Sequence, residues 1–308
     1  MTGDSASTAG FPIEQRGRGI ALRIGAITAF GMMLAALKYS ASAGVGPVEI
    51  IFYRNFFSLP TIIAWVLLSG GASAVATQRP AAHATRSALG LVVMFGTFVA
   101  LSMLPLAEAT AISFSAPLFA TILSALVLRE TVMWHRWGAV LVGFIGVLII
   151  VQPGGSALPP LGVAIALASA LGTAGVVITL RQIGATESAV ATVFWFNIAS
   201  VIVTAVPMPF IFQSHVWPVW FALAVGGVTG GIAQIMLTSA VRYAPVSVLA
   251  PFDYLQIVWA TVWGYVLFDV LPSSASIVGA ALIASAGCYV VWRERRMRKL
   301  VVPTSTEL

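Results

Sequence analysis

Arg54 stands in EIIFYRNFF, residues 49–57, inside a run that is otherwise largely apolar. A cation carried to such a depth costs roughly 2.5–3.5 kcal/mol on insertion scales unless it meets water, a partner or a ligand. Lys38 ends the preceding apolar segment, and Asp253 lies in LAPFDYLQIVWATVWG, beside Gln256, Trp259 and Trp263. A planar guanidinium suits a carboxylate. A membrane-embedded carboxylate can pair with a cation, hold a proton or bind an ammonium. For Asp253 the cation within reach on the chain is Arg242. Glu49 and Arg54 are about 140° apart around one helix and do not pair there. Arg54 therefore reaches across to a neighbouring span. Either it closes a network with Glu108 or a backbone carbonyl, or it and Lys38 attract a substrate carboxylate.

Composition sets the surroundings of these groups. Of 308 residues 59% are hydrophobic and 8% charged, against about 25% charged in soluble domains. The net charge of +6 does not gather on one soluble face, so a nucleic-acid partner is not expected. A single cysteine, Cys288, allows no internal disulfide and no cysteine metal cluster. His83, His135 and His215 all fall in loops or at segment edges, and no HExxH, P-loop, GxSxG or GxGxxG motif occurs. No catalytic set, metal or cofactor is expected. Residues 1–18 read as a polar tail rather than a secretory signal. Residues 293–308, RERRMRKLVVPTSTEL, read as a basic membrane-flanking tail.

A helix needs about 20 apolar residues to cross a bilayer. That length predicts ten spans, at 19–39, 48–68, 86–104, 107–128, 134–151, 160–181, 188–210, 217–241, 246–268 and 274–292. The apolar runs are too long for barrel strands. With the amino terminus inside, all 16 Lys and Arg residues except Lys38 and Arg54 fall on the cytoplasmic side. That is a strong positive-inside pattern, with both termini cytoplasmic. Trp134, Trp137, Trp217, Trp220 and Trp292 sit at span ends as interfacial anchors.

The chain also resembles itself. SAPLFATILSALVLRE at 115–130 aligns with YLQIVWATVWGYVLFD at 254–269, and GAVLVGFIGVLII at 138–150 with GAALIASAGCYVV at 279–291. Five spans per copy is an odd number, so the second copy enters from the opposite side. The predicted fold class is an all-α integral membrane protein of ten helices, two five-helix inverted repeats (19–153 and 159–292) around a central cavity.

Several stretches resemble the drug/metabolite transporter superfamily in its ten-span, EamA-type branch. They are KYS and EIIFYRNFF in the first two spans, PLAEATAISFSAPLFATILSALVLRE with WGAVLVGFIGVLII, and AVRYAPVSVLAPFDYLQIVWATVWGYVLF. The resemblance covers about residues 20–292. It implies a basket of helices around a substrate cavity, and export of amino acids and related metabolites or, in some members, import. Lysine and arginine at the places of Lys38 and Arg54 are common in relatives. Many relatives have glycine before the acidic residue that ends the fourth and ninth spans, where this chain has Arg129 and Phe268.

At about 100° per residue, polar stripes mark the inward faces. Thr110, Ser113, Pro117, Thr121 and Ser124 share one arc of the fourth span, and Gly227, Gly231, Gln234 and Thr238 one arc of the eighth. Phe252, Asp253, Gln256, Trp259, Ala260 and Trp263 share an arc of the ninth. The pairs Gly226/Gly230 and Gly227/Gly231 have the small-xxx-small spacing of close helix packing. Pro117 and Pro251 are expected to bend their helices. Trp195, Phe196 and Asn197 read as peripheral packing. The expected substrate contacts are Lys38, Arg54, Thr97, Thr110, Ser113, Gln234, Thr238, Asp253, Gln256, Trp259 and Trp263. The expected function is alternating-access export of amino acids from the bacterial inner membrane, the partners being a small-molecule substrate and the bilayer. The alternatives are import or exchange of a larger metabolite such as a nucleoside derivative, drug efflux and, in another class, a membrane scaffold or enzyme.

Overall fold

The computed structural model describes residues 13–126, 133–152, 158–183 and 186–301, and no strand occurs among them. In hydrocarbon every backbone polar group must be satisfied internally. Apolar runs of this length reach that condition as helices. In order these are α1 (Ile13–Ser42), α2 (Pro47–Leu68), α3 (Pro80–Met103), α4 (Leu106–Ser113), α5 (Ala116–Leu126), α6 (Trp134–Val151) and α7 (Pro160–Ile183). Next come α8 (Ala189–Ala205), α9 (Met208–Ile211), α10 (Trp217–Ala240), α11 (Val246–Leu249), α12 (Leu255–Phe268) and α13 (Ser274–Val301). Among the described residues, seven helical stretches are long and apolar enough to cross a membrane. These seven, the shorter apolar helices at 136–151 and 189–205, and the interrupted stretch 246–268 fall where the ten spans were expected.

The helices extend past some expected limits. Residues 13–18 and 293–301, read from sequence as tails, are helical continuations of α1 and α13. Residues 1–12, 302–308 and the Arg129–Glu130 pair lie outside the described residues. Both expected bends are present as interruptions. The proline ring at 117 supplies no N–H for the Ser113 carbonyl, and α4 ends at Ser113 before α5 resumes at Ala116. Pro251 lies in a 3-10 turn, Ala250–Tyr254, between α11 and α12.

Packing has the pattern that exchanging the first five spans with the last five would produce. α1 packs on α10 as α7 packs on α3, and α1 on α12 as α7 on α4 and α5. α2 packs on α10 as α8 packs on α3, while α2 meets α8, α6 meets α13 and α4 meets α12. Small residues allow the close crossings. A Cβ at Gly227 would stand 2.9 Å from the Arg54 carbonyl oxygen and 3.1 Å from that of Tyr53, so α10 lies directly on the backbone of α2. Gly146 and Gly279 do the same where α6 crosses α13.

Gly19 of α1 lies against Ala244, Arg23 pairs with Asp253, and Gly287 of α13 lies against Tyr254. The described start of α1 and end of α13 therefore share one face, called here the terminal face. Exposed apolar side chains, such as Leu68 and Phe210 at 88% each, clothe the outside in the manner lipid requires. Trp134 and Trp217 are exposed at the starts of α6 and α10, and Trp292 is exposed within α13. Trp220 is not an outward anchor: it packs edge-on against Tyr53 at 4.9 Å.

Candidate functional site

The polar side chains inside the bundle fall into separate groups. Lys38, at the end of α1, donates from Nζ to the carbonyls of Leu101 (2.6 Å), Leu104 (2.8 Å) and Ser102 (3.5 Å). Carbonyls in the last turn of a helix lack intrahelical partners, and the ammonium of Lys38 caps α3. Asp253 accepts both Nε and Nη2 of Arg23 at 2.5 Å. Its partner is thus Arg23 on α1 and not Arg242. The 3-10 turn advances about 120° per residue, which moves Asp253 off the arc drawn for a regular helix. Trp259 packs its Cβ region on Gly31 of α1, and Trp263 packs against the core around Met33 and Leu37. Gln256 and Thr238 line neither of the two polar cavities described next.

The first cavity is centred on Arg54. The Nη1 group donates to Asn55 Oδ1 at 2.9 Å, and Asn55 Nδ2 donates to the Ile51 carbonyl at 2.8 Å. From α8, Asn197 Nδ2 donates to Ser58 Oγ at 2.6 Å and to Asn55 Oδ1 at 3.2 Å. Ser58 Oγ in turn donates to the Asn55 carbonyl at 2.8 Å. Opposite stands Arg86 of α3, its guanidinium 3.9 Å above the ring centre of Phe196. Arg54, Ser58, Arg86, Phe196, Asn197 and Gln234 line a cavity of about 50 Å³. Arg54 makes no contact with Glu108, whose carboxylate accepts from Ser276 Oγ at 2.9 Å instead.

Two corrections follow. Phe196 and Asn197 are not peripheral, because Asn197 is 4% exposed and holds α8 to α2. Trp195, their neighbour, donates Nε1 to the Val75 carbonyl at 2.9 Å. Arg86, counted from sequence with the basic flank, turns into the bundle. For Asn197 the signal is its recurrence with Ser200 and Thr204 at i, i+3 and i+7 of an apolar helix, whereas Arg86 stands near the start of its span, where a basic residue also reads as flank.

A second cavity of about 60 Å³ lies between α1, α3, α4 and α7. Thr97, Thr110, Ser113, Ser169 and Thr173 supply its hydroxyls. Thr97, Thr110, Ser113 and Thr173 donate to carbonyls of their own helices, leaving lone pairs free to accept. Thr121 and Ser124 do not line it, since the break after Ser113 turns α5 away. Two larger grooves, of 400 and 360 Å³, are apolar and lie where exposed side chains such as Val258, Ile277 and Phe221 meet the outside.

Histidine–carboxylate pairs tie both faces. On the terminal face His83 Nε2 lies 3.3 Å from Glu187 Oε2, and on the opposite face His215 Nε2 lies 2.7 Å from Glu49 Oε1. Burial would raise the Glu187 carboxyl, but hydrogen bonds from His83, Thr77 and the Gln78 amide outweigh it and hold the group below the usual carboxylate range. Neither pairing is legible in the sequence, where His83 and His215 fall at segment edges. The partners stand 104 and 166 positions apart, beyond the reach of any local spacing rule.

Known proteins share this architecture. A profile of the EamA-like transporter family matches residues 17–152. The S-adenosylmethionine uptake transporter of Rickettsia prowazekii (strain Madrid E) is 31% identical over 255 residues, covering 80% of this chain and 84% of that one. The pseudopaline exporter CntI of Pseudomonas aeruginosa (strain UCBPP-PA14) is 28% identical over 282 residues, covering 90% and 97% respectively. A solved crystal structure at 22% identity superposes with a TM-score of 0.65 over 91% of this chain and 99% of its own, so the fold is common to both. The chain belongs to the EamA-like transporter family of the drug/metabolite transporter superfamily and is a multi-pass membrane transporter.

Proposed function

We propose that this transporter moves small metabolites of the amino-acid class across the bacterial inner membrane by alternating access. Two five-helix units, residues 19–153 and 159–292, rock about the polar cavities, with both termini in the cytoplasm. The observation that carries this reading is a pair of small polar cavities inside the bundle, one of them lined by the interrupted helix α4. Each is far below the about 300–1,000 Å³ of an ordinary ligand pocket, at about 50 and 60 Å³. Such volumes hold a few waters or one small polar group, so a whole substrate enters only when the helices part. The interruptions at 114–115 and 250–254 supply places where parting costs few hydrogen bonds. Side-chain hydroxyls and an arginine directed inward support a polar, carboxylate-bearing substrate.

The named relatives transport in opposite directions, one by uptake and one by export, so family membership leaves direction to experiment. A second reading is favoured by the 31% identity to an S-adenosylmethionine uptake transporter: import of a larger nucleoside-bearing amino acid. Both are tested in proteoliposomes of known orientation, with a panel of radiolabelled amino acids and S-adenosylmethionine. Saturable flux of amino acids supports the first reading, and flux of S-adenosylmethionine that amino acids fail to inhibit supports the second. No flux above empty liposomes for the whole panel defeats both.

A further inference from the structure

We infer that Arg54 and Arg86 form a two-guanidinium cradle for the carboxylate of the transported metabolite, with Asn197 placed to accept from an N–H of the same molecule. This rests on the carrier reading above and names the chemistry of its site.

The first reason is how the chain treats its other inward cations. Arg23 has the Asp253 carboxylate, and Lys38 has three carbonyls. Arg54 and Arg86 share one cavity and, among the described residues, neither forms an ion pair. Arg54 places one donor on Asn55 and one on the weak acceptor sulfur of Met94. Nε and Nη1 of Arg86 are buried without a hydrogen-bond partner. Two like charges in one small space, with donors left over, call for an anion between them.

The second reason is shape. Phe196 holds one flat face of the Arg86 guanidinium, which leaves its edges for the parallel two-bond contact that carboxylates make. A glycine makes the room: a Cβ at Gly90 would stand 2.8 Å from the Phe196 ring and 3.0 Å from Arg86 Nη1. The volume of about 50 Å³ suits one carboxylate group.

The third reason concerns polarity. Asn197 Oδ1 is buried with no partner. The amide cannot rotate to satisfy it, because Nδ2 already bonds Asn55 Oδ1, which also accepts from Arg54. A flip would set two oxygens against each other. That leaves one open acceptor beside open cationic donors, the complement of an amino acid's N–H and carboxylate.

The test uses the purified full-length protein in lipid nanodiscs, with thermal stabilisation as the binding readout and proteoliposome flux alongside. The probes are L-methionine, L-phenylalanine and L-glutamate, each paired with its α-carboxamide, together with S-adenosylmethionine and inorganic phosphate. Losing the charge-assisted bonds should weaken each carboxamide about 10–100-fold against its parent acid. In Arg86→Gln the two members of a pair should bind within about 3-fold of each other, because the discriminating donors are gone. Arg86→Lys, which keeps the charge and loses the fork, should retain the preference at roughly 10-fold lower affinity, and it serves if the glutamine variant does not fold. Equal binding of acids and carboxamides by the unaltered protein overturns the cradle, as does wild-type discrimination in Arg86→Gln or wild-type affinity in Arg86→Lys. Stabilisation by phosphate with none by any carboxylate overturns the assignment to a carboxylate. A protein that transports acid and carboxamide equally loses the cradle and remains a carrier, whereas no binding and no flux with any probe removes both.

Discussion

Arg23 and Asp253 join α1 to the 3-10 turn before α12, on the terminal face, with side-chain exposures of 12% and 29%. Opening that face requires α1 to leave Ala244 and the turn together, and therefore to break the pair. Removing one member of a fully buried pair costs about 3–5 kcal/mol, and of an exposed pair about 0–1 kcal/mol. Partial exposure sets this pair between them, at about 2 kcal/mol, or roughly 30-fold in an open–closed equilibrium. A reporter is at hand. Ala244 is 0% exposed and packs on Gly19, and Cys288 is the chain's one cysteine. In an Ala244→Cys, Cys288→Ser background, an impermeant maleimide reaches residue 244 only when α1 parts from it. Asp253→Asn should raise that labelling rate by up to about 30-fold. The swap Arg23→Asp with Asp253→Arg should bring the rate back down. An unchanged rate in Asp253→Asn, or singles that simply add in the Arg23→Gln, Asp253→Asn double variant, would refute the role of this pair as a closure of the terminal face.

Asn197→Leu removes two buried hydrogen bonds to α2 and leaves Asn55 Oδ1 with one donor fewer. It should destabilise by about 1–3 kcal/mol, read as a lower Tm in nanodiscs, with α8 the first helix to lose exchange protection. Gly227→Val sets a branched side chain against the carbonyls of Tyr53 and Arg54. Overpacking of about 1–3 kcal/mol should cut the yield of monodisperse protein, while Gly138→Val, where a Cβ meets nothing within 4 Å, should not. Hydrogen bonds from His83, Thr77 and the Gln78 amide hold the Glu187 carboxyl below the usual carboxylate range. A lowered folded value means the stabilising contribution is present above the unfolded value and is lost as pH falls through the folded one. Acid titration of Tm downward from about pH 4.5 should therefore be shallower in Glu187→Gln than in the unaltered protein.

The spans were legible because lipid leaves a helix little choice: apolar runs of this length have few other stable forms. The breaks at Pro117 and Pro251 were legible for a covalent reason, the missing N–H. The glycine pairs of α10 foretold close packing on α1 and α2. Facing was harder. Regular 100° steps turned Thr110, Ser113, Thr121 and Ser124 inward as one stripe, for packing or for a cavity, but Thr110 and Ser113 alone line the cavity and Thr121 and Ser124 leave it beyond the break. The same steps carried Asp253 across a 3-10 turn into the wrong arc. Along α8, Asn197, Ser200 and Thr204 recur at i, i+3 and i+7 and are all buried, so the side Asn197 takes was written in a polar stripe that the reading of Trp195–Asn197 as packing passed over. Lys38 was weighed as a substrate contact, and its ammonium is taken by the end of α3 instead. Pairings such as Arg23 with Asp253 join residues 230 positions apart, and only the assembled bundle brings them together.

Two-sided access to one cavity is the most direct test of the carrier. A single cysteine at Thr97, in the Cys288→Ser background, stands in the hydroxyl-lined cavity and is probed in sealed proteoliposomes with impermeant maleimide added to either compartment. Labelling from both compartments, with added transported substrate shifting the ratio of the two rates, is the expected result. Labelling from one compartment alone, whatever ligand is present, would describe a fixed pit in the membrane and contradict transport by rocking halves.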